Sequence, residues 1–172
     1  MVIWFIGESA SGKTFLARKL YKVLKSNHSN LVYLDGDLLR NTISKDLGYS
    51  KNDRFISEER RSRLSKILSD QGIHVIMSGI SNEPSIREWN KKNIKEYLEI
   101  YLKVNKQTLY DRDSKGLYKK YLAGEIKNVV GEDIKFNEPK LPWMVINNSG
   151  NDNSDKIIKG INQKLIIEKR LS

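Results

Sequence analysis

Short apolar runs separated by polar, glycine-bearing stretches recur along the chain. Val2–Ile6, Leu31–Leu34, Ile73–Met77, Leu98–Val104 and Met144–Ile146 have the length and apolar density of buried strands. Between the first two, Leu16, Leu20 and Val23 recur at helical spacing. Ser57 followed by Glu58 and Glu59 predicts a helix start, because a capping hydroxyl and an acidic first turn complement free amides and the helix dipole. Leu64, Ile67 and Leu68 supply that helix with an apolar stripe, and Gly72 ends it. Pro84 suits the first turn of another helix, and Ile157, Ile161 and Leu165 make the last one amphipathic. Alternating strands and helices predict an α/β fold: a parallel sheet with helices on both faces. The stretch from Arg112 to Pro142 breaks the pattern, being polar, glycine-punctuated and without clear periodicity. A long irregular segment inside a compact domain is usually functional, so we read a lid over about residues 112–142. Nothing in the sequence divides residues 1–172, which read as a single domain.

Composition narrows the classes. At 38% hydrophobic and 30% charged residues, the chain has the make-up of a globular protein. No stretch approaches the roughly 20 apolar residues needed to cross a bilayer. The apolar opening runs straight into a glycine-rich turn and reads as a first strand, so a cytoplasmic enzyme without membrane contact is expected. The absence of cysteine removes disulfides, thiolate metal sites and thiol catalysis. A net charge of +10 raises the question of nucleic acid, but the lysines are scattered, without a basic run or interleaved aromatics. No nucleic-acid partner is expected; a positive field equally suits a polyanionic small substrate.

Gly7-Glu8-Ser9-Ala10-Ser11-Gly12-Lys13-Thr14 matches the phosphate-binding pattern G-x-x-x-x-G-K-[ST], and it sits between a predicted strand and a predicted helix. Backbone amides of Gly7, Ser9, Ala10, Ser11 and Gly12 would close around phosphate oxygens, aided by the positive end of the helix that follows. Lys13 would reach the β- and γ-phosphates, and the Thr14 hydroxyl would ligate Mg²⁺. ATP and magnesium are therefore expected, although this motif does not separate a kinase from other nucleoside triphosphatases.

Asp35-Gly36-Asp37 follows the second strand directly, at the sheet edge where ligands bind in open parallel sheets. Phosphoryl transfer needs one acid to support the metal and one to orient and deprotonate the attacking hydroxyl. We assign the base role to Asp37 and metal support to Asp35, an assignment that spacing alone would also allow reversed. Arg40, one helical turn beyond Asp37, could clamp an anionic group of the acceptor. Further cations fall in predicted loops, among them Arg54, Arg112, Lys115 and Lys127. Arg112 is assigned to the ATP side and Lys115 to the acceptor side. Ser81, just after the third strand, is a candidate hydrogen-bond partner for the substrate, whereas His74 inside that strand reads as a core residue.

Asp35-Gly36-Asp37, Asp46-Leu47-Gly48-Tyr49-Ser50 and Arg112-Asp113-Ser114-Lys115-Gly116-Leu117-Tyr118-Lys119-Lys120 together resemble the adenylylsulfate (APS) kinase family. The likeness continues through Gly124-Glu125-Ile126-Lys127, Gly131-x-Asp133, Pro139 and Pro142. The resemblance implies a five-stranded P-loop fold and usually a homodimer. It implies ATP-dependent phosphorylation of the ribose 3′-hydroxyl of an activated nucleotide, with Asp37, Arg40 and Arg54 at the acceptor, and it matches Ser81 and Lys127 to family positions. Four departures surround the expected acceptor pocket. Tyr49 and Val129 stand where the family clamps adenine between two phenylalanines, and Ser57 stands for an asparagine. Gly79 and Asn82 replace the phenylalanine and proline that flank Ser81. Losing an aromatic face forfeits stacking of roughly 1–3 kcal/mol per base. The pattern is similar to that of the branch of this family that phosphorylates cytidine diphosphoramidate in capsule phosphoramidate biosynthesis. Adenylylsulfate is the second acceptor, and a sugar or other metabolite without a base a third. A nucleotide- or RNA-binding protein without kinase activity is the alternative from another class.

Overall fold

The computed structural model describes residues 1–150 and 153–170. Five strands form one sheet: β1 (Val2–Ile6), β2 (Leu31–Asp35), β3 (His74–Ser78), β4 (Tyr97–Lys103) and β5 (Met144–Asn147). Their spatial order is β2-β3-β1-β4-β5, and every pairing is parallel. Each predicted strand is present, with ends shifted by no more than a residue. The central strand β1 is wholly buried, which is why it reads as a continuous apolar run instead of an alternating one.

The two sheet faces carry separate cores. Ile3 and Phe5 point to one side, against Leu16, Ala17, Leu20 and Leu24 of α1 (Lys13–Lys25) and Ile158, Ile161 and Leu165 of α7 (Ser154–Ile167). Val2, Trp4 and Ile6 point to the other, with Val75, Met77, Ile94 and, from the helix α3 (Lys51–Asp70), Leu64 and Leu68. Within α1 the core position is Leu24; Val23 of the predicted stripe is exposed.

The largest correction concerns α3. It begins at Lys51, not at Ser57, because Ser50 and Asp53 form a capping box: the Ser50 hydroxyl accepts from the Asp53 amide while the Asp53 carboxylate accepts from the Ser50 amide. Ser57 therefore lies inside the helix and is buried. The inward face of the helix is largely polar, made of Ser57, Glu58, Arg61, Ser62 and Ser65, and Ile67 faces solvent. An apolar stripe marks only its last two turns, so hydrophobic periodicity could not reveal its beginning.

The short helices are α2 (Gly36–Thr42), α4 (Pro84–Asn93), α5 (Lys106–Asp111) and α6 (Leu117–Leu122). Pro84 opens α4 as predicted. The segment expected to be irregular contains α6, and Tyr118 of that helix packs with Leu109 and Val129 into a third small core. No helix among the described residues is long and apolar enough to cross a membrane.

Candidate active site

The loop from Gly7 to Gly12 joins β1 to α1 at the C-terminal edge of the sheet. Gly12, with φ 92°, holds the left-handed turn that starts the helix, a conformation favouring glycine. Ser11 is fully buried, and the Asn148 side-chain amide donates to its carbonyl at 2.9 Å. Lys13 folds back over the loop, donating to the Glu8 carbonyl and the Ser11 hydroxyl. Burial pulls the Lys13 pKa down to about 8, against the opposing pull of Asp37.

Asp35 is the junction of the site. One carboxylate oxygen caps α2 by accepting from the Asp37 and Leu38 amides at 3.0 and 3.2 Å. The other accepts from the Thr14 hydroxyl (3.2 Å), the Tyr33 hydroxyl (2.8 Å) and the Ser78 hydroxyl (3.2 Å). Burial works against ionisation, but the bonds from Tyr33, Leu38, Thr14 and Asp37 outweigh it and hold the Asp35 pKa below the usual carboxylate value. The Asp37 side chain instead stands in solvent and pairs with Lys115 of the lid segment. Asp35 is thus committed to the Thr14 side, whereas the exposed Asp37 carboxylate faces Lys115.

On the other flank, Arg112 donates to the carbonyls of Asn148 and Gly150 at 2.7 and 2.8 Å. With Gly12, Phe15, Leu16 and Ser154 these residues line an open cavity of about 440 Å³. Phe15 is 60% exposed there, and nothing in the sequence had singled it out. Residues 112–142, the expected lid, touch the loop of residues 7–12 at two points. The Tyr118 hydroxyl donates to the Ser9 carbonyl at 3.1 Å. Gly131, with φ 95°, sits so close to the Glu8 carboxylate that a side chain there would have to displace it.

The expected acceptor residues separate into three groups. Arg40 and Arg54 converge on Tyr49, their guanidinium carbons 4.5 and 5.4 Å from the ring centre. Arg40 donates to the Gly48 carbonyl (2.6 Å), and Arg54 to the carbonyls of Tyr49 (3.1 Å) and Asn128 (2.5 Å). Tyr49 itself is exposed. Ser57 and Ser81 are buried, and neither hydroxyl has a partner among the described residues. Lys127 is exposed. Val129 departs from expectation: at 2% exposure it is buried against Leu109 and Tyr118, so it offers no surface to a base. The Asn128 and Val129 amides both donate to Asp133, which holds this turn in place.

Sequence reasoning missed Tyr33 and, on α3, Glu58 and Arg61. Both α3 residues are buried, at 2% and 8% exposure, although they stand in a charged run that looks solvated. The signal that could have found them is the Ser50-x-x-Asp53 box, which places both inside a helix.

The sequence pattern of the adenylylsulphate kinase family matches residues 1–147. Cytidine diphosphoramidate kinase of Campylobacter jejuni is 41% identical over 96% of this chain and 96% of its own length. A probable adenylyl-sulfate kinase of Archaeoglobus fulgidus is 38% identical over 88% of this chain and 97% of its own. Among solved structures, the Mycobacterium tuberculosis APS kinase CysC, in complex with AMPPNP and APS, superposes with a TM-score of 0.85. It is 29% identical, covering 95% of this chain and 96% of that one. On this similarity, and on the P-loop and paired aspartates at the sheet edge, the chain belongs to the adenylylsulfate kinase family and is an ATP-using phosphotransferase that acts on a hydroxyl group.

Proposed function

We propose that this kinase transfers the γ-phosphoryl group of ATP to the ribose 3′-hydroxyl of cytidine diphosphoramidate. The observation that carries the transfer chemistry is the division of labour between two acids two residues apart: Asp35 bonded to Thr14, and Asp37 open towards the lid. Lys13 and the loop amides bind the triphosphate and stabilise charge on the transferred group. Asp37 accepts the proton of the acceptor hydroxyl as that oxygen attacks. A hydroxyl beside a carboxylate is an all-oxygen donor pair that fits magnesium, so Thr14 and Asp35 would hold Mg²⁺. The ion supplies charge neutralisation on the phosphoryl oxygens. Arg112 and its cavity take the rest of the ATP, and closure of the lid excludes water and limits wasteful hydrolysis.

The acceptor side favours a small base. Tyr49 supplies one aromatic face, and the position of the second is taken by Val129, which is buried in the lid core. A pyrimidine needs less clamping than adenine, and the 41% identity to a cytidine diphosphoramidate kinase points the same way. Adenylylsulfate is the second reading, favoured by the family match over residues 1–147. The test is ADP release from magnesium-ATP with each acceptor in turn. A kcat/KM at least ten times higher with cytidine diphosphoramidate is expected; the reverse preference would transfer the protein to the second reading. A cytoplasmic homodimer belongs to the same proposal, and sedimentation velocity reads its assembly state.

A further inference from the structure

Beneath the Asp35–Asp37 turn lies a cation that neither the phosphate loop nor the aspartates account for. Arg61 is 8% exposed, and its Nε donates to the Ser57 carbonyl at 3.0 Å. Its two terminal nitrogens make no hydrogen bond or ion pair among the described residues. They lie close under two glycines. A Cβ at Gly79 would stand 2.8 Å from Arg61 Nη1, and a Cβ at Gly36 would stand 3.0 Å from it. The guanidinium therefore occupies the room that side chains at those positions would need, next to the carboxylate assigned as base.

Glu58, one turn earlier, is 2% exposed, and its two oxygens accept from the amides of Asn82 (2.7 Å) and Glu83 (3.1 Å). It lends Arg61 a neighbouring negative charge without occupying the guanidinium's donors. These contacts give a physical account of two departures noted in the sequence. A phenylalanine at position 79 would collide with Arg61, and a proline at 82 would have no N–H for Glu58. Gly79 goes with Arg61, and Asn82 goes with Glu58. Asn82 also donates to the Lys135 carbonyl (3.0 Å) and accepts from the Asn137 amide (2.8 Å), so the pair is built into the lid base.

The outer donors of Arg61 have no protein partner among the described residues and remain open to water or to an arriving anion. A fork of N–H groups is complementary to anionic oxygens, above all those of phosphoryl groups. The triphosphate of ATP is already served by Lys13 and the loop amides. On the proposed function, the acceptor's own diphosphate-like tail is the anion left to account for.

We propose that Arg61 receives the phosphoryl oxygens of that tail and sets the preference for acceptors that carry it. The inference rests on the acceptor being a nucleotide of this type, but not on which base it bears.

The experiment is calorimetric titration of cytidine, cytidine 5′-monophosphate and cytidine diphosphoramidate into protein loaded with a non-hydrolysable ATP analogue and magnesium, alongside adenosine, adenosine 5′-monophosphate and adenylylsulfate. In the unsubstituted protein, affinity should climb as the tail lengthens. Arg61→Gln should weaken the tail-bearing ligands by roughly 10- to 100-fold, the loss of hydrogen bonds to a charged group, and leave the bare nucleosides unchanged. Arg61→Lys, with charge but no fork, should fall between. Gly79→Ala tests the same contact should Arg61→Gln not fold, because its added methyl displaces the guanidinium while keeping the charge; the same selective loss is expected. Equal weakening of all ligands, or none, would overturn the role of Arg61. A tail-dependent step that appears only in the adenosine series, and is lost in Arg61→Gln, would uphold Arg61 while overturning the cytidine reading.

Discussion

Lys115 and Asp37, 78 residues apart in the chain, meet as an ion pair across the mouth of the site. Both side chains are exposed, so the pair adds little to folding. Its consequence is for approach: an acceptor hydroxyl reaching Asp37 arrives beside a lid cation. Lys115→Ala is expected to leave the melting temperature within about 2 °C of the unsubstituted protein. It should raise the acceptor KM several-fold, while the KM for ATP stays put. A parallel rise in both constants would argue that Lys115 serves the lid as a whole.

Asp37→Asn removes the proton acceptor and preserves shape. Turnover should fall by roughly 100- to 10,000-fold, the usual contribution of a positioned general base. Binding of the ATP analogue, followed by calorimetry, should be unchanged within a factor of two or three. Near-full activity in this variant would move the base role to Asp35.

Asp35 gives a stability signature with a defined sign. Its folded-state pKa lies below the unfolded value, so the protein gains stability from it above about pH 3.9 and loses that gain as pH falls through the folded pKa. Melting curves from pH 7 down to pH 3 should show the unsubstituted protein and Asp35→Asn converging at the acid end. Curves that stay parallel throughout would contradict the hydrogen-bonding arrangement described for this carboxylate.

Lys13 titrates within reach of ordinary buffers. Its pKa of about 8 means that the free protein loses the charge as pH rises beyond that point. The kcat/KM for ATP, which reports ionisations of the free enzyme, should decline above pH 8. Lys13→Ala should lower kcat by at least about 100-fold. A flat profile to pH 10 would mean that burial does not depress this amine.

Tyr49 is the expected stacking residue that is exposed. Tyr49→Ala should raise the acceptor KM by roughly 10- to 100-fold, in line with one lost stacking contact, with ATP parameters unaffected. Tyr49→Phe should restore it, which separates ring contact from hydroxyl contact.

Much of this was legible from residues alone, for identifiable reasons. β1 and β3 are buried on both faces, so their apolar runs are unbroken. The phosphate loop announces itself because glycine and lysine positions there are set by backbone conformation and charge. What was illegible lies where polar groups are buried. The inner face of α3 carries serines, Glu58 and Arg61, so the helix reads as starting at Ser57 when it starts at Lys51. The α6 helix is a single short stretch stabilised by Tyr118 and by Asp113 accepting from the amides of Leu117, Tyr118 and Lys119; no periodicity can show in six residues. Val129 looked like a pocket wall because its alignment position said so, but its side chain turns into a core that only the fold reveals.

The segment expected to be a lid touches the loop that matches the phosphate-binding pattern. The Tyr118 hydroxyl donates to the Ser9 carbonyl, and Gly131 lies against the Glu8 carboxylate, so two residues of that loop are in direct touch with residues 112–142. Any shift of the Ser9 carbonyl or the Glu8 side chain would therefore be felt directly at residues 118 and 131.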